Sequence, residues 1–190
     1  MRKNIVIVDD EPITRMDLHE LLNESGFNVI GEASDGLDAV ELCRRLKPDL
    51  VLMDVKMPLL DGIKASKLIM TEELTKAVVL LTAYSSSEFV ERAKESGVMA
   101  YLVKPVEEKT LINTIEIALH KGYEIQNMKN EIKIARENLE ARKIIEKAKG
   151  ILMTKENISE KEAYNLMRKV SMDKRCSMRK IAETILLNER

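Results

Sequence analysis

What most restricts the fold of this chain is how its short apolar runs end. Ile5 to Val8 gives way to Asp9 and Asp10, and Leu50 to Met53 to Asp54. Val78 to Leu81 gives way to Thr82, and Leu102 with Val103 to Lys104 and Pro105. An unbroken apolar run of this length reads as a parallel strand buried on both faces. Strands are expected near residues 4–8, 28–32, 49–53, 77–82 and 99–103, and helices over 12–25, 37–46, 60–72, 87–96 and 107–121. Gly26 and Gly97 stand where helices should stop, and Ser86 or Ser87 where the fourth should be capped. Such alternation predicts an α/β fold, a doubly wound five-stranded parallel sheet covered on both faces and able to fold alone.

Ligands of open α/β sheets bind beyond the carboxyl ends of the strands. Four strand ends therefore bring three acids, a hydroxyl and an ammonium to one edge. Asp9 or Asp54 alone reads as a cap or turn residue, Lys104 alone as a surface charge, and Thr82 as a strand residue. Their joint placement argues for chemistry. Three neighbouring carboxylates repel, and a hard divalent cation such as Mg²⁺ relieves the repulsion while keeping positions for phosphate oxygens. Asp54 is then a carboxylate nucleophile for phosphorus. Phosphoryl transfer needs positioning and charge neutralisation, which the cation, Lys104 and the Thr82 hydroxyl supply.

IVIVDDE, DLVLMDVKMP with DG following, VVLLTAYS and AYLVKP resemble the receiver domain of two-component response regulators, over residues 1–121. The resemblance implies the flavodoxin-like sheet and roles for individual residues. Asp54 matches the phosphoacceptor, Asp10 the direct metal ligand, Asp9 the acid that holds the metal through water, and the carbonyl of Lys56 the third protein ligand. Thr82 and Tyr101 match the pair that shifts on phosphorylation, and Lys104 the lysine that contacts the phosphoryl group. Pro105 matches a site of cis peptide geometry. Lys56 and Tyr84 lie two residues after Asp54 and Thr82, where the family varies and tunes phosphoryl lifetime. A sensor histidine kinase is the implied phosphodonor.

Charge divides the chain. Residues 1–123 hold 15 basic against 21 acidic side chains, and residues 124–190 hold 16 against 11, within an overall −1. An acidic half followed by a basic one points to an output segment that meets nucleic acid, although scattered basic residues also form ordinary solvated faces. No stretch approaches a membrane span, and the N-terminus enters a strand rather than a signal-peptide core. Cys43 and Cys176 lack a pairing or metal pattern, and Cys43 falls in an apolar helical stripe with Leu37, Val40 and Leu46. His19 and His120 are isolated. This usage is what a reducing cytoplasm permits.

Beyond residue 121 the strands cease. Ile125, Met128, Ile132, Ala135 and Leu139 recur at spacings of three and four, the pattern of a coiled-coil seam, so residues 122–137 are expected to be a dimerising helical linker with Gly122 as a hinge. The alternative is a linker helix packed on its own domain. Residues 138–190 read as three helices. One runs through Ile144, Ile145, Ala148, Ile151 and Leu152. The second follows the capping box Ser159 and Glu162, and the third follows Ser177. RKIIEKAKGILM from Arg142, SEKEAYNLMRK from Ser159 and KIAETIL from Lys180 resemble the ANTAR domain, an RNA-binding antitermination module. Ala148, Gly150, Ala163 and Ala182 are expected to serve close helix packing. Arg142, Lys147, Lys149, Arg168, Lys169, Arg175, Arg179 and Lys180 are the candidate RNA contacts.

Together these resemblances imply a phosphorylation-activated switch rather than an enzyme with turnover. It forms a homodimer when phosphorylated and holds stem-loops of a nascent transcript so that a terminator does not form. Two rivals stand beside it. Three terminal helices also suit a DNA-reading helix-turn-helix, although no glycine occupies the tight turn expected after Lys169, around Ser171, Met172 and Asp173. Basic helices can equally dock an acidic protein.

Overall fold

A computed structural model describes residues 2–83 and 87–188, with backbone alone for 87–90. Tyr84 and Ser86 lie outside the described residues. The elements run β1 Asn4–Val8, α1 Pro12–Glu24, β2 Asn28–Ala33, α2 Gly36–Leu46, β3 Leu50–Asp54, α3 Gly62–Thr71, β4 Ala77–Thr82, α4 Ser87–Glu95, β5 Ala100–Val103, α5 Glu108–Glu156, α6 Glu160–Asp173 and α7 Met178–Leu187. The strands form one parallel sheet in the order β2-β1-β3-β4-β5. The strand order reverses between β1 and β3, where such sheets leave a crevice at their carboxyl edge.

Pleating explains why the three central strands β1, β3 and β4 are apolar almost throughout. Successive side chains point to opposite faces, so each of these strands feeds two cores. Val6, Val8, Val51, Met53, Val78 and Leu80 pack on one side with Ala39, Val40, Cys43 and Ile69 of α2 and α3. Ile5, Ile7, Leu50, Leu52, Val79 and Leu81 pack on the other with Leu22, Leu111 and Ile115 of α1 and α5. Cys43 is core: burial pushes its thiol up to about 12 against the charge of Lys47. Gly26 and Gly97 take positive φ, +87° and +79°, just after α1 and α4, as helix-stop residues should.

The chain divides into a unit of residues 1–127 and a unit of residues 128–190. One helix, α5, contributes to both. The helix runs through Gly122 without a break. A Cβ there stands 2.5 Å from the Lys76 carbonyl oxygen, so the glycine lets the helix lie against the β3–β4 side of the sheet. The next residue, Tyr123, is fixed at the same spot. Its hydroxyl donates to Asp49 Oδ1 (2.8 Å) and accepts from Lys3 Nζ (2.9 Å), and its ring lies under the ammoniums of Lys3 and Lys76 at 4.1 and 4.5 Å.

The second unit has its own core. Ala148, Met167 and Ala182 are buried at its centre, ringed by Ile144, Ile145, Leu152, Met178, Ile181 and Ile185. Ser159 opens α6 with the expected reciprocal box: Glu162 N donates to its hydroxyl and Ser159 N donates to the Glu162 carboxylate. Ser177 caps α7 through Lys180 N. The turn between them differs from expectation. Ser171, Met172 and Asp173 stay helical, and the chain reverses through Lys174 to Cys176, with Arg175 left-handed at φ 51°. Ser171 Oγ holds that turn by donating to the Cys176 carbonyl at 2.5 Å.

Candidate functional site

Asp54 is the last residue of β3, and the chain beyond it folds tightly over the strand end. Val55 N donates to the Leu81 carbonyl (3.0 Å) and Gly62 N to that of Val55 (2.8 Å). A Cβ on Gly62 lands 2.1 Å from the Asp54 carbonyl oxygen, so only glycine lets α3 begin there. Asp61 caps α3 by accepting from Lys64 N. The loop carrying Lys56 is thereby pinned, and Lys56 N donates to Asp54 Oδ2 at 2.7 Å.

Asp9 follows β1 in the same way. Its carboxylate is buried, with Oδ1 accepting from Glu11 N at 2.9 Å, while Arg15 Nη1 donates to its backbone carbonyl at 2.7 Å. Lys104, arriving from β5, joins the two acids. Its Nζ lies 2.7 Å from Asp9 Oδ2 and 2.6 Å from Asp54 Oδ1. The peptide from Lys104 to Pro105 is cis. Asp9, Asp10, Asp54, Lys56, Thr82 and Lys104 all line one open cleft of about 660 Å³, together with Glu11, Met57 and Pro58. Thr82 is buried at its wall and Asp10 is exposed at its mouth. Tyr101 is not in the cleft. It lies half-exposed on β5 beside a separate hollow formed with Ala93, Lys94 and Val98.

Burial raises the Asp54 carboxyl above the ordinary aspartate value, and the nearby charge of Asp9 adds to the rise. The hydrogen bond and charge of Lys104 and the Lys56 amide oppose it. Burial alone lowers the Lys104 ammonium, but the hydrogen bonds and charges of Asp54 and Asp9 outweigh it and hold the proton more tightly. The two directions compete across one ion pair. The ammonium stands within hydrogen-bond distance of both acids, and the cost of burying charge shows in the raised carboxyl.

The donor set is all oxygen, which suits a hard cation. Among the described residues no three His, Cys, Asp or Glu side chains form a ready cage. A fourth donor from the main chain, such as the Lys56 carbonyl, and waters must therefore complete any coordination. Two carboxyl groups share a single ammonium and Asp10 lies at the cleft mouth, so this acidic, all-oxygen donor set would suit Mg²⁺.

In the second unit the basic residues divide differently from expectation. Arg142, Lys147, Arg168, Lys169, Arg175, Arg179 and Lys180 are exposed, Arg179 while paired with Glu183 at 2.7 Å. Lys149 is the exception. It is 6 % exposed, its stem is buried beside Ala148, and its ammonium is held by Glu146 at 2.8 Å and Glu160 at 2.7 Å. It ties α5 to α6 and offers no free charge to a ligand. Ala148, Ala163 and Ala182 are buried as packing residues, but Gly150 is not: it is exposed, and a Cβ on it meets nothing within 4 Å. Reading the sequence also missed Glu11 and Arg15, whose bonds to Asp9 cross a turn and a helix. It noted Gly62 only as part of a motif.

Residues 5–116 match the family model for the response regulator receiver domain, and residues 134–186 match that for the ANTAR domain. The transcriptional regulatory protein PdtaR of Mycobacterium tuberculosis is 45% identical over 184 residues, 97% of this chain and 89% of that one. The chemotaxis protein CheY of Thermotoga maritima is 35% identical over 115 residues, 60% of this chain and 96% of its own. Among solved structures, the signal receiver domain of NarL from Mycobacterium tuberculosis superposes with a TM-score of 0.60 at 28% identity, covering 63% of this chain and 97% of that one. CheY of Borrelia burgdorferi, solved in a complex with CheX, BeF3 and Mg²⁺, does so at 0.56 and 27% identity, covering 60% and 86%. No helix among the described residues is long and apolar enough to cross a membrane.

Proposed function

We propose, since this chain belongs to the response regulators that join a receiver domain to a C-terminal ANTAR domain, that phosphorylation of Asp54 switches on an RNA-binding output that prevents transcription termination. The observation that carries the reading is the grip of one ammonium, Lys104, on both Asp9 and Asp54 at the switch point of the sheet. Such a site is a receptor for a phosphoryl group.

The Asp54 carboxylate attacks phosphorus, and the bond to the histidine nitrogen of a sensor kinase breaks as the new one forms. The leaving imidazole keeps the electron pair. Lys104 stays as a point charge beside the incoming oxygens, as phosphoryl transfer requires. Asp9, Asp10 and Asp54 with the Lys56 carbonyl would hold Mg²⁺, which would supply positive charge against the transferring group. The new phosphoryl oxygens accept from the Thr82 hydroxyl at the cleft wall, and Tyr101, outside the cleft, follows that movement. The exposed apolar positions of α5 then pair two chains. Paired output units hold two stem-loops of a nascent transcript, reading unpaired loop bases and stem phosphates, since A-form stems conceal their base edges. A transcript held that way does not form its terminator.

Two measurements test this. Incubation with a small phosphodonor and Mg²⁺, followed by intact mass, should add a single phosphoryl group to the wild type and none to Asp54→Asn. Equal labelling of the variant removes Asp54 as acceptor. In matched salt, the phosphorylated chain should be retained on RNA hairpins and not on duplex DNA. The reverse preference makes it a DNA-reading regulator.

A further inference from the structure

Among the described residues nothing crowds Gly150. Gly36, Gly62 and Gly122 each need their missing side chain, because a Cβ on them stands 2.3, 2.1 and 2.5 Å from a backbone oxygen. At Gly150, well inside α5, there is only open space. A glycine in a helix interior weakens the helix relative to alanine, so this position gives up local stability with no packing gain. What it leaves is a bare turn of helix on the surface, the condition for another molecule to approach the backbone closely.

Helical spacing sets Lys147 and Met153 three residues to either side of Gly150, and Glu146 and Thr154 four. Glu146 is engaged by Lys149. Lys143, one turn further, is paired with Glu140 at 2.9 Å. Among the described residues Lys147 has no such partner, so its ammonium is the uncommitted charge beside the bare turn. Thr154 Oγ1 donates to the Gly150 carbonyl at 3.0 Å, which satisfies that oxygen and leaves the hydroxyl oxygen able to accept.

We infer that the exposed turn at Gly150 is where the sugar–phosphate backbone of RNA comes closest to this chain, with Lys147 on a phosphate and the Thr154 hydroxyl within reach of a ribose. The inference rests on the RNA-binding reading and adds the site. A second copy of the chain is the poorer occupant. The apolar seam of α5 ends at Leu139, and the next positions at the same spacing are Arg142, Glu146 and Lys149, charged and in the last two cases bonded to each other.

The probe is an RNA hairpin selected from a random-loop pool on the phosphorylated wild-type chain. Gly150→Ala and Gly150→Leu should both keep or raise the thermal midpoint of the protein. Hairpin affinity should nonetheless fall with side-chain size, about tenfold or more for leucine. Lys147→Ala should reduce the salt slope of binding by about one unit for all hairpins alike. Sedimentation of the Gly150 variants should match wild type. If the wild type binds and Gly150→Leu binds equally well, the site is misplaced. If Gly150→Leu instead abolishes dimerisation, a protein surface occupies the turn and the inference fails. If the pool yields no bound hairpin, the RNA reading itself falls, and the site with it.

Discussion

At the scale of single residues, charge decides less by sign than by what already surrounds it. Lys149 and Lys147 are neighbours of the same type, yet one is shut between two carboxylates and the other is open. Lys149→Met keeps the apolar stem and removes the charge. It should lower the thermal midpoint of the output unit while leaving the salt slope of RNA binding unchanged, which separates a structural cation from a phosphate contact. The pH dependence has a definite sign. Hydrogen bonding to Lys149 lowers Glu160 below its ordinary 4.5, so the contribution of that pair is full above 4.5 and fades as pH falls through the depressed value. Lys149 itself is raised above 10.5 by Glu146 and Glu160, so its contribution fades only in stronger alkali. Acid unfolding monitored by circular dichroism should therefore show a shallower loss of output-unit stability in Lys149→Met than in wild type.

At the scale of elements, α5 carries the message that the sequence disguised. Its strand neighbours were legible because an apolar run buried on both faces is hard to mistake, and Asp9, Asp54, Thr82 and Lys104 were legible because they end such runs. Three things were not. Gly122 reads locally as a weak helix point, and only the Lys76 carbonyl beside it shows that the helix needs it. Lys149 reads as surface because its burial depends on Glu160 from another helix. Gly150 reads as packing because small residues in helices usually pack, and only the empty space around it says otherwise. The seam is different again: Ile132 is 53 % exposed and Leu139 54 %, apolar positions with nothing over them in one chain. Ile132→Lys should weaken the phosphorylated dimer by about 2–3 kcal/mol, roughly a hundredfold in dissociation constant, with phosphorylation of Asp54 intact. Sedimentation equilibrium reads this directly, and an unchanged dimer places the interface elsewhere.

At the scale of the molecule, each of the two units has its own core, and the cores are unequal. The receiver buries whole strands of Ile, Leu and Val on both sheet faces. The output unit centres on Met167 and two alanines. A small unit buries a smaller share of its surface and is correspondingly marginal. Calorimetry of the full chain should show two transitions, the output unit melting first. A fragment of residues 1–127 should keep the later transition at the same temperature and accept a phosphoryl group at the wild-type rate. A single transition common to both units would mean that they stabilise each other.

The pleat that serves two cores also fixes what inheritance can do with this sheet. Consecutive residues of β3 answer to different partners, Leu52 to one layer and Met53 to the other. A side chain can be exchanged for one of similar bulk with little disturbance. Loss of one codon within the strand hands each layer the other's residues and turns Asp54 away from Lys104. A lineage carrying this fold can therefore drift by substitution along its strands, whereas changes of length survive only in the connections between them.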